Sequence, residues 1–175
     1  MLTMTVLITG GSKNGKSRIA EEIISQYDLP RFYIATMEPY SAEASATIQR
    51  HRKLRADKRF TTIEQYTDIG TIPIPKNSAV LLECIGNLCA NEMFTGGIDN
   101  PAEKILSGIA SISRQTEIFV MVTSQVGEDG ISYPPETMQY IRNMGIINQN
   151  IARISDVVIE VVYGIPVFLK GTLSL

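Results

Sequence analysis

Apolar residues recur along the chain in two alternating rhythms. Met4–Thr9 is a short run of Val, Leu and Ile ending in a glycine-rich turn, the pattern of a parallel strand buried on both faces. Lys16–Tyr27 changes to helical spacing: Ile19, Ile23 and Ile24 share one face, with Arg18, Glu21 and Glu22 elsewhere. Phe32–Thr36 (FYIAT) predicts a second strand. Ser41–Ala56 predicts a second helix, with Ser41 as its N-cap and Glu43 in its first turn. Thr61–Glu64 predicts a short strand, and Ala79–Glu83 (AVLLE) a stronger one after the Pro73-Ile74-Pro75 breaker. Ile85–Phe94 predicts a helix stopped by Gly96-Gly97, and Pro101–Thr116 another with Pro101 in its first turn. Ile118–Thr123 (IFVMVT) predicts a central strand, Ser124–Pro135 a loop, and Glu136–Ile154 a long helix. Val157–Tyr163 and Ile165–Leu169 predict two closing strands joined at Gly164, too close together for a helical crossover and therefore antiparallel. Strands alternating with helices define an α/β fold with a mostly parallel sheet flanked by helices.

Length and composition narrow the classes. The chain has 175 residues, 44% of them hydrophobic, and at about 150 residues per domain this predicts one domain over residues 1–175. Such a chain buries a full core without disulfide staples and is not a disordered polymer. Sixteen basic against eighteen acidic residues leave a formal charge of −2, which predicts no general affinity for nucleic acid or a membrane surface. No apolar run approaches the ~18 residues of a membrane span. The opening MLTMTVLITGG lacks the basic flank and cleavage site of a secretory leader, so a cytoplasmic location is expected. Cys84 and Cys89 have neither zinc-knuckle nor C-x-x-C spacing and are expected as buried, reduced thiols.

The turn after the first strand changes this picture. Gly10-Gly11-Ser12-Lys13-Asn14-Gly15-Lys16-Ser17 matches G-x-x-x-x-G-K-[ST] between a strand and a helix, the context of a P-loop NTPase-like fold. Glycines let the backbone curl so that its N–H groups face phosphate oxygens, and the helix N-terminus points its positive end at the same place. Lys16 supplies a cation to the terminal phosphates, and the Ser17 hydroxyl suits Mg²⁺. A metal partner is expected as a carboxylate at the end of another strand. Glu83 is the best candidate, its alternative being a solvated strand-end acid. Asp156 and Glu160 read as structural or solvated.

His51 is the sole histidine, within Gln49-Arg50-His51-Arg52-Lys53-Leu54-Arg55. Six of the sixteen cations, Arg50, Arg52, Lys53, Arg55, Lys58 and Arg59, lie between Arg50 and Arg59, so the positive charge is concentrated there. Nearby cations favour neutral imidazole, the nucleophilic form, and would also hold a polyphosphate. Ile48 and Leu54 share its helical face, so a half-buried structural histidine is the alternative.

The ordered segments GGSKNGKS, FYIAT, IQRHR, TTIE, LLECI, VTSQVG and NQNIA resemble the cobinamide kinase/cobinamide-phosphate guanylyltransferase family of cobalamin biosynthesis, from about Val6 to Lys170. The basic IQRHR segment between the second and third strands is more specific than the phosphate loop. The resemblance implies a bifunctional enzyme. It phosphorylates the aminopropanol hydroxyl of adenosylcobinamide with ATP or GTP, then transfers GMP from GTP to the product, giving adenosylcobinamide-GDP and pyrophosphate. His51 would be transiently guanylylated. By the same resemblance, Gly10 to Ser17, Ala35, Thr36, Met37, Arg52, Lys53, Leu54, Arg55, Glu64 and Glu83 belong near the nucleotide, with Mg²⁺ at Ser17 and Glu83. It further implies a homo-oligomer, commonly a trimer. Two positions depart from the family pattern. Gln125 stands in Ser124-Gln125-Val126-Gly127 where relatives carry glutamate, and Ile146 or Ile147 stands where they carry arginine. The alternative readings are a monofunctional member retaining one reaction, and a nucleotide-binding regulatory protein without turnover.

Overall fold

A computed structural model describes residues 3–175, apart from the side chains of His51 and Leu54. Among the described residues seven strands form one sheet: β1 (Met4–Thr9), β2 (Arg31–Ala35), β3 (Phe60–Glu64), β4 (Ala79–Glu83), β5 (Ile118–Val122), β6 (Val157–Val162) and β7 (Ile165–Lys170). Their order is β3-β2-β4-β5-β1-β6-β7. The contacts from β3 to β6 are parallel, and only β6–β7 is antiparallel. That final pair is a two-residue hairpin through Tyr163 (φ 51°) and Gly164 (φ 80°), the backbone of a type I′ turn.

The unbroken apolar runs of β4 and β5 follow from burial on both faces. On one face Val80, Leu82, Phe119 and Met121 join α3 (Ile85–Ala90), α4 (Ala102–Ser113) and α5 (Pro135–Ile154). On the other, Leu81, Val120, Val6 and Ile8 meet Ile19, Ile23 and Ile24 of α1 (Lys16–Ser25). The period of two along the strands and the i, i+4 spacing on α1 therefore divide one core into two layers.

Boundaries move by one to three residues for local reasons, the helix predicted over Pro101–Thr116 running Ala102–Ser113. The predicted tail of α1 tightens into i→i−3 bonds, Gln26 N–H to Ile23 O and Tyr27 N–H to Ile24 O, each 3.2 Å. The fifth helix starts one residue early because Pro135 needs no N–H partner there. The second helix, α2 (Ala42–Arg55), is capped as expected, the Ser41 hydroxyl accepting the Ala44 N–H at 3.0 Å. The predicted Ile85–Phe94 helix is corrected: α3 ends at Ala90, and Asn91–Thr95 is a wider turn closed by Gly96 N–H to Asn91 O at 2.8 Å. No helix among the described residues is long and apolar enough to cross a membrane.

Candidate active site

The carboxyl ends of the parallel strands stand level: Ala35 is in register with Glu64 and Glu83, and Val122 with Glu83 and Ile8. Beyond them opens a cavity of about 660 Å³, the usual ligand position in an open α/β sheet. Ser12 to Ser17 form its floor, with α1 starting at Lys16. Gly10 and Gly11 stand behind that wall. Gly10 has φ +138°, and a Cβ there would lie 2.6 Å from the Val161 carbonyl oxygen, so the loop can lean on β6 only through glycine.

Lys16 is buried and donates from Nζ to the carbonyls of Gly10 at 2.9 Å and Gly11 at 2.6 Å. Burial lowers its pKa below the ordinary 10.5, and the neighbouring Cys84 and Glu83 oppose that shift. The ammonium is thus poised in a desolvated loop, where anionic phosphate oxygens are stronger acceptors than its two carbonyls. The Ser17 hydroxyl donates to Glu83 Oε1, and the Tyr33 hydroxyl donates to Glu83 Oε2 at 3.0 Å. A hydroxyl and a carboxylate side by side are hard oxygen donors that fit Mg²⁺, which keeps several waters and takes its other ligands from substrate phosphates. Glu83 is accordingly bonded into the cavity wall and is not a free surface acid.

The opposite wall is α2, through Thr47, Ile48, Arg50 and Arg55. Arg55 is buried, its Cζ 3.5 Å from the centre of the Tyr33 ring, and its Nε and Nη1 find no acceptor among the described residues. A guanidinium brought out of water without acceptors is a receptor for an anion. The His51 side chain lies outside the described residues. Its backbone is helical, one turn after Thr47 and one turn before Arg55.

The other predicted residues divide. Ala35 and Met37 line the cavity. Thr36 does not: fully buried, its Oγ1 donates to Cys84 O at 2.9 Å and accepts the Cys84 N–H at 2.8 Å, clamping two strand ends. Arg52 turns to an ion pair with Glu64, and both are substantially exposed. Lys53 is exposed, and the Leu54 side chain is outside the described residues. Neither Arg52, Lys53 nor Glu64 lines the cavity: Glu64 ends the edge strand β3, one strand beyond β2, and its carboxylate is taken by Arg52.

Sequence reasoning missed Tyr33, Thr47, Ile48, Cys84, Asn87, Val122 and Ser124, all of which line the cavity, as does Arg50 of the basic cluster. One signal was present for Tyr33, since a hydroxyl inside a buried strand requires a partner. Cys89 is buried and free, its thiol pushed up to about 12 by burial, whereas Cys84 is only half-buried and accepts the Asn87 N–H at the start of α3. Asp156 and Glu160 are structural, as expected. Asp156 accepts the Thr5 N–H at 2.8 Å, and Glu160 accepts from Gln125 Nε2 at 2.8 Å.

The cavity therefore combines a phosphate loop, a hydroxyl–carboxylate pair and an unpartnered cation around one opening. A family model described as cobinamide kinase / cobinamide phosphate guanyltransferase matches residues 6–169. The chain belongs to this family. It is 33% identical over 184 residues to the bifunctional adenosylcobalamin biosynthesis protein CobU of Escherichia coli K12, covering 95% of this chain and 100% of that protein. It is 34% identical over 185 residues to the protein of the same name from Salmonella typhimurium LT2, with the same coverage. Pseudomonas aeruginosa PAO1 contributes the bifunctional protein CobP at 25% identity, over 96% of this chain and 98% of that protein. Among solved structures, a DnaB-like replicative helicase described with its primase interactions superposes with a TM-score of 0.43 at 11% identity, over 90% of this chain. The chain spans about half that structure's length, 47%.

Proposed function

We propose that this protein performs both reactions of its family, adenosylcobinamide kinase and adenosylcobinamide-phosphate guanylyltransferase, in one nucleotide cavity. The observation that carries the reading is the convergence of Lys16, the Ser17–Glu83 pair and Arg55 on that cavity. In the kinase step the aminopropanol hydroxyl of adenosylcobinamide attacks the γ-phosphorus of ATP or GTP, and the nucleoside diphosphate leaves. In the second step an imidazole nitrogen of His51 attacks the α-phosphorus of GTP. A P–N bond forms as the bond to the β-phosphate oxygen breaks, and pyrophosphate departs. A phosphate oxygen of adenosylcobinamide phosphate then displaces histidine, restoring it and yielding adenosylcobinamide-GDP.

Lys16 and Arg55 bind phosphate oxygens and stabilise the charge that develops on them. Ser12 to Gly15 supply backbone donors, and Ala35 and Met37 bound the nucleotide beside the strand ends. Mg²⁺, held by Ser17 and Glu83, would neutralise charge on the phosphates. Arg52 and Lys53 lie at the cavity's outer flank in this reading, where their charge would steer an anionic substrate more than touch it. A single nucleotide-binding domain over residues 1–175 is part of the proposal, supported by one sheet that takes strands from Met4 to Lys170. So are a cytoplasmic location and self-association, read as the family's trimer. Exposed Ile165, Val167 and Leu169 along the edge strand β7 support an oligomer.

Intact-protein mass after incubation with GTP and Mg²⁺, together with uptake of α-labelled GTP, tests the covalent step. Wild type should gain one GMP as an acid-labile, base-stable phosphoramidate, and His51→Ala should gain none. Phosphorylation of cobinamide by wild type with no such adduct would sink the histidine route and leave the kinase alone.

A further inference from the structure

Tyr33 lies in the middle of β2 with 3% of its surface exposed, yet it reaches both charged walls of the cavity. Its hydroxyl donates to Glu83 Oε2 at 3.0 Å, while the carboxylate's other oxygen accepts from Ser17. One face of its ring carries the Arg55 guanidinium at 3.5 Å. The ring is itself held by the edge of Phe60, with centroids 6.1 Å apart and planes at 77°. Arg55 and Glu83 are opposite charges lining one cavity, and with Arg55 buried their attraction is only partly screened. Two Arg55 nitrogens lack acceptors, and among the described residues no ion pair joins the two side chains. Collapse into such a pair would consume both groups needed for a metal-bound nucleotide. Tyr33 gives each a different place: the carboxylate is tied to the phenol's hydrogen, and the guanidinium is parked on its π face.

We propose that Tyr33 is a positioning residue of the nucleotide site: its hydroxyl aims the Glu83 carboxylate at Ser17 and its ring holds the Arg55 guanidinium, keeping the two charges apart and available to metal and phosphate. The inference rests on the nucleotide reading of the cavity. Burial, with the Glu83 charge, raises the phenol's pKa well above its ordinary value, so the hydroxyl stays a donor across the neutral range.

Titration of a fluorescent GTP analogue, with and without Mg²⁺, tests this on wild type, Tyr33→Phe and Tyr33→Leu. Tyr33→Phe keeps the ring and loses the tether. It should bind metal-free nucleotide like wild type but need about tenfold more Mg²⁺ for half its tightening, the loss expected of one hydrogen bond to a charged group. Tyr33→Leu also loses the platform, and its metal-free affinity should fall by roughly five- to tenfold more. A packing role predicts the reverse, with a silent phenylalanine and a leucine variant weakened equally in both conditions. A wild-type Mg²⁺ response in Tyr33→Phe overturns the proposal, as does metal-free binding by Tyr33→Leu equal to that of Tyr33→Phe. Should the leucine variant not fold, the phenylalanine arm still decides. Wild-type protein that takes up no nucleotide under any condition would instead defeat the reading of the cavity, and this proposal with it.

Discussion

Arg55 is only 6% exposed, with two guanidinium nitrogens unpaired among the described residues. Such a group weakens the folded state, because its desolvation is only partly offset by the Tyr33 ring. The same isolation makes it a strong receptor for phosphate. The two effects separate in Arg55→Met, which keeps the length and apolar stem of the side chain and removes its charge. Urea unfolding without nucleotide should find this variant at least as stable as wild type, by about 1 kcal/mol. Its affinity for GTP should fall by at least about tenfold. A destabilised variant with unchanged nucleotide binding would make Arg55 a structural residue. Nothing local distinguishes Arg55 from Arg52 or Lys53 in the sequence, since all three sit in one basic run. What separates them is which side of α2 faces β2, and that depends on a contact between residues far apart in the chain.

The phosphate loop is an element whose shape depends on a neighbour distant in sequence. Gly10 leans on the Val161 carbonyl of β6 at φ +138°, so Gly10→Ala adds both a forbidden dihedral and a 2.6 Å clash with backbone. We expect a loss of about 3 kcal/mol of stability. Gly145→Ala, inside α5 with nothing within 4 Å of the added carbon, should instead gain up to about 1 kcal/mol from helix propensity. Chemical denaturation of the pair checks the contrast, and a Gly10→Ala variant as stable as wild type would remove the β6 contact from the account. Elements governed by near neighbours were legible before the fold was known: β4 and β5 from unbroken apolar runs, α2 from its Ser41 cap, the loop from its own motif. The break in the helix after Ala90 was not. There Asn91 is buried and its amide donates to Thr36 O at 2.7 Å and Tyr66 O at 2.9 Å. Demands made by other loops override the helical pattern of its own segment. The level ends of β2, β3 and β4 likewise require the strand order, not the strand sequences alone: Glu64 and Glu83 flank Ala35 in one row, but Glu83 enters the site while Glu64, on the edge strand, pairs with Arg52.

Across the whole molecule, the helix carrying position 51 is the one whose described side chains are least tied to the cores. No α2 residue whose side chain is described belongs to either buried cluster, and Arg55 is the only buried one among them. The Arg52–Glu64 pair that links it to β3 is exposed and contributes little. Helices with so few buried apolar contacts open at low free energy. By contrast, α5 buries Met144, Ile147 and Ile151 against the sheet and should open only with the fold as a whole. A nucleotide that meets Lys16 on one side and Arg55 on the other would bridge the loosest helix to the central sheet. Mass action then stabilises the closed form by about 2.7 kcal/mol at a ligand concentration of 100 Kd. Hydrogen exchange should therefore find α2 amides exchanging far faster than those of α5 in the free protein, then slowing by up to about 100-fold with saturating GTP and Mg²⁺. Arg55→Met, which lacks the bridging cation, should lose most of that slowing even at matched occupancy. Exchange in α2 that ignores nucleotide would mean that this helix is held by contacts other than the phosphates, and that closure of α2 does not accompany nucleotide binding.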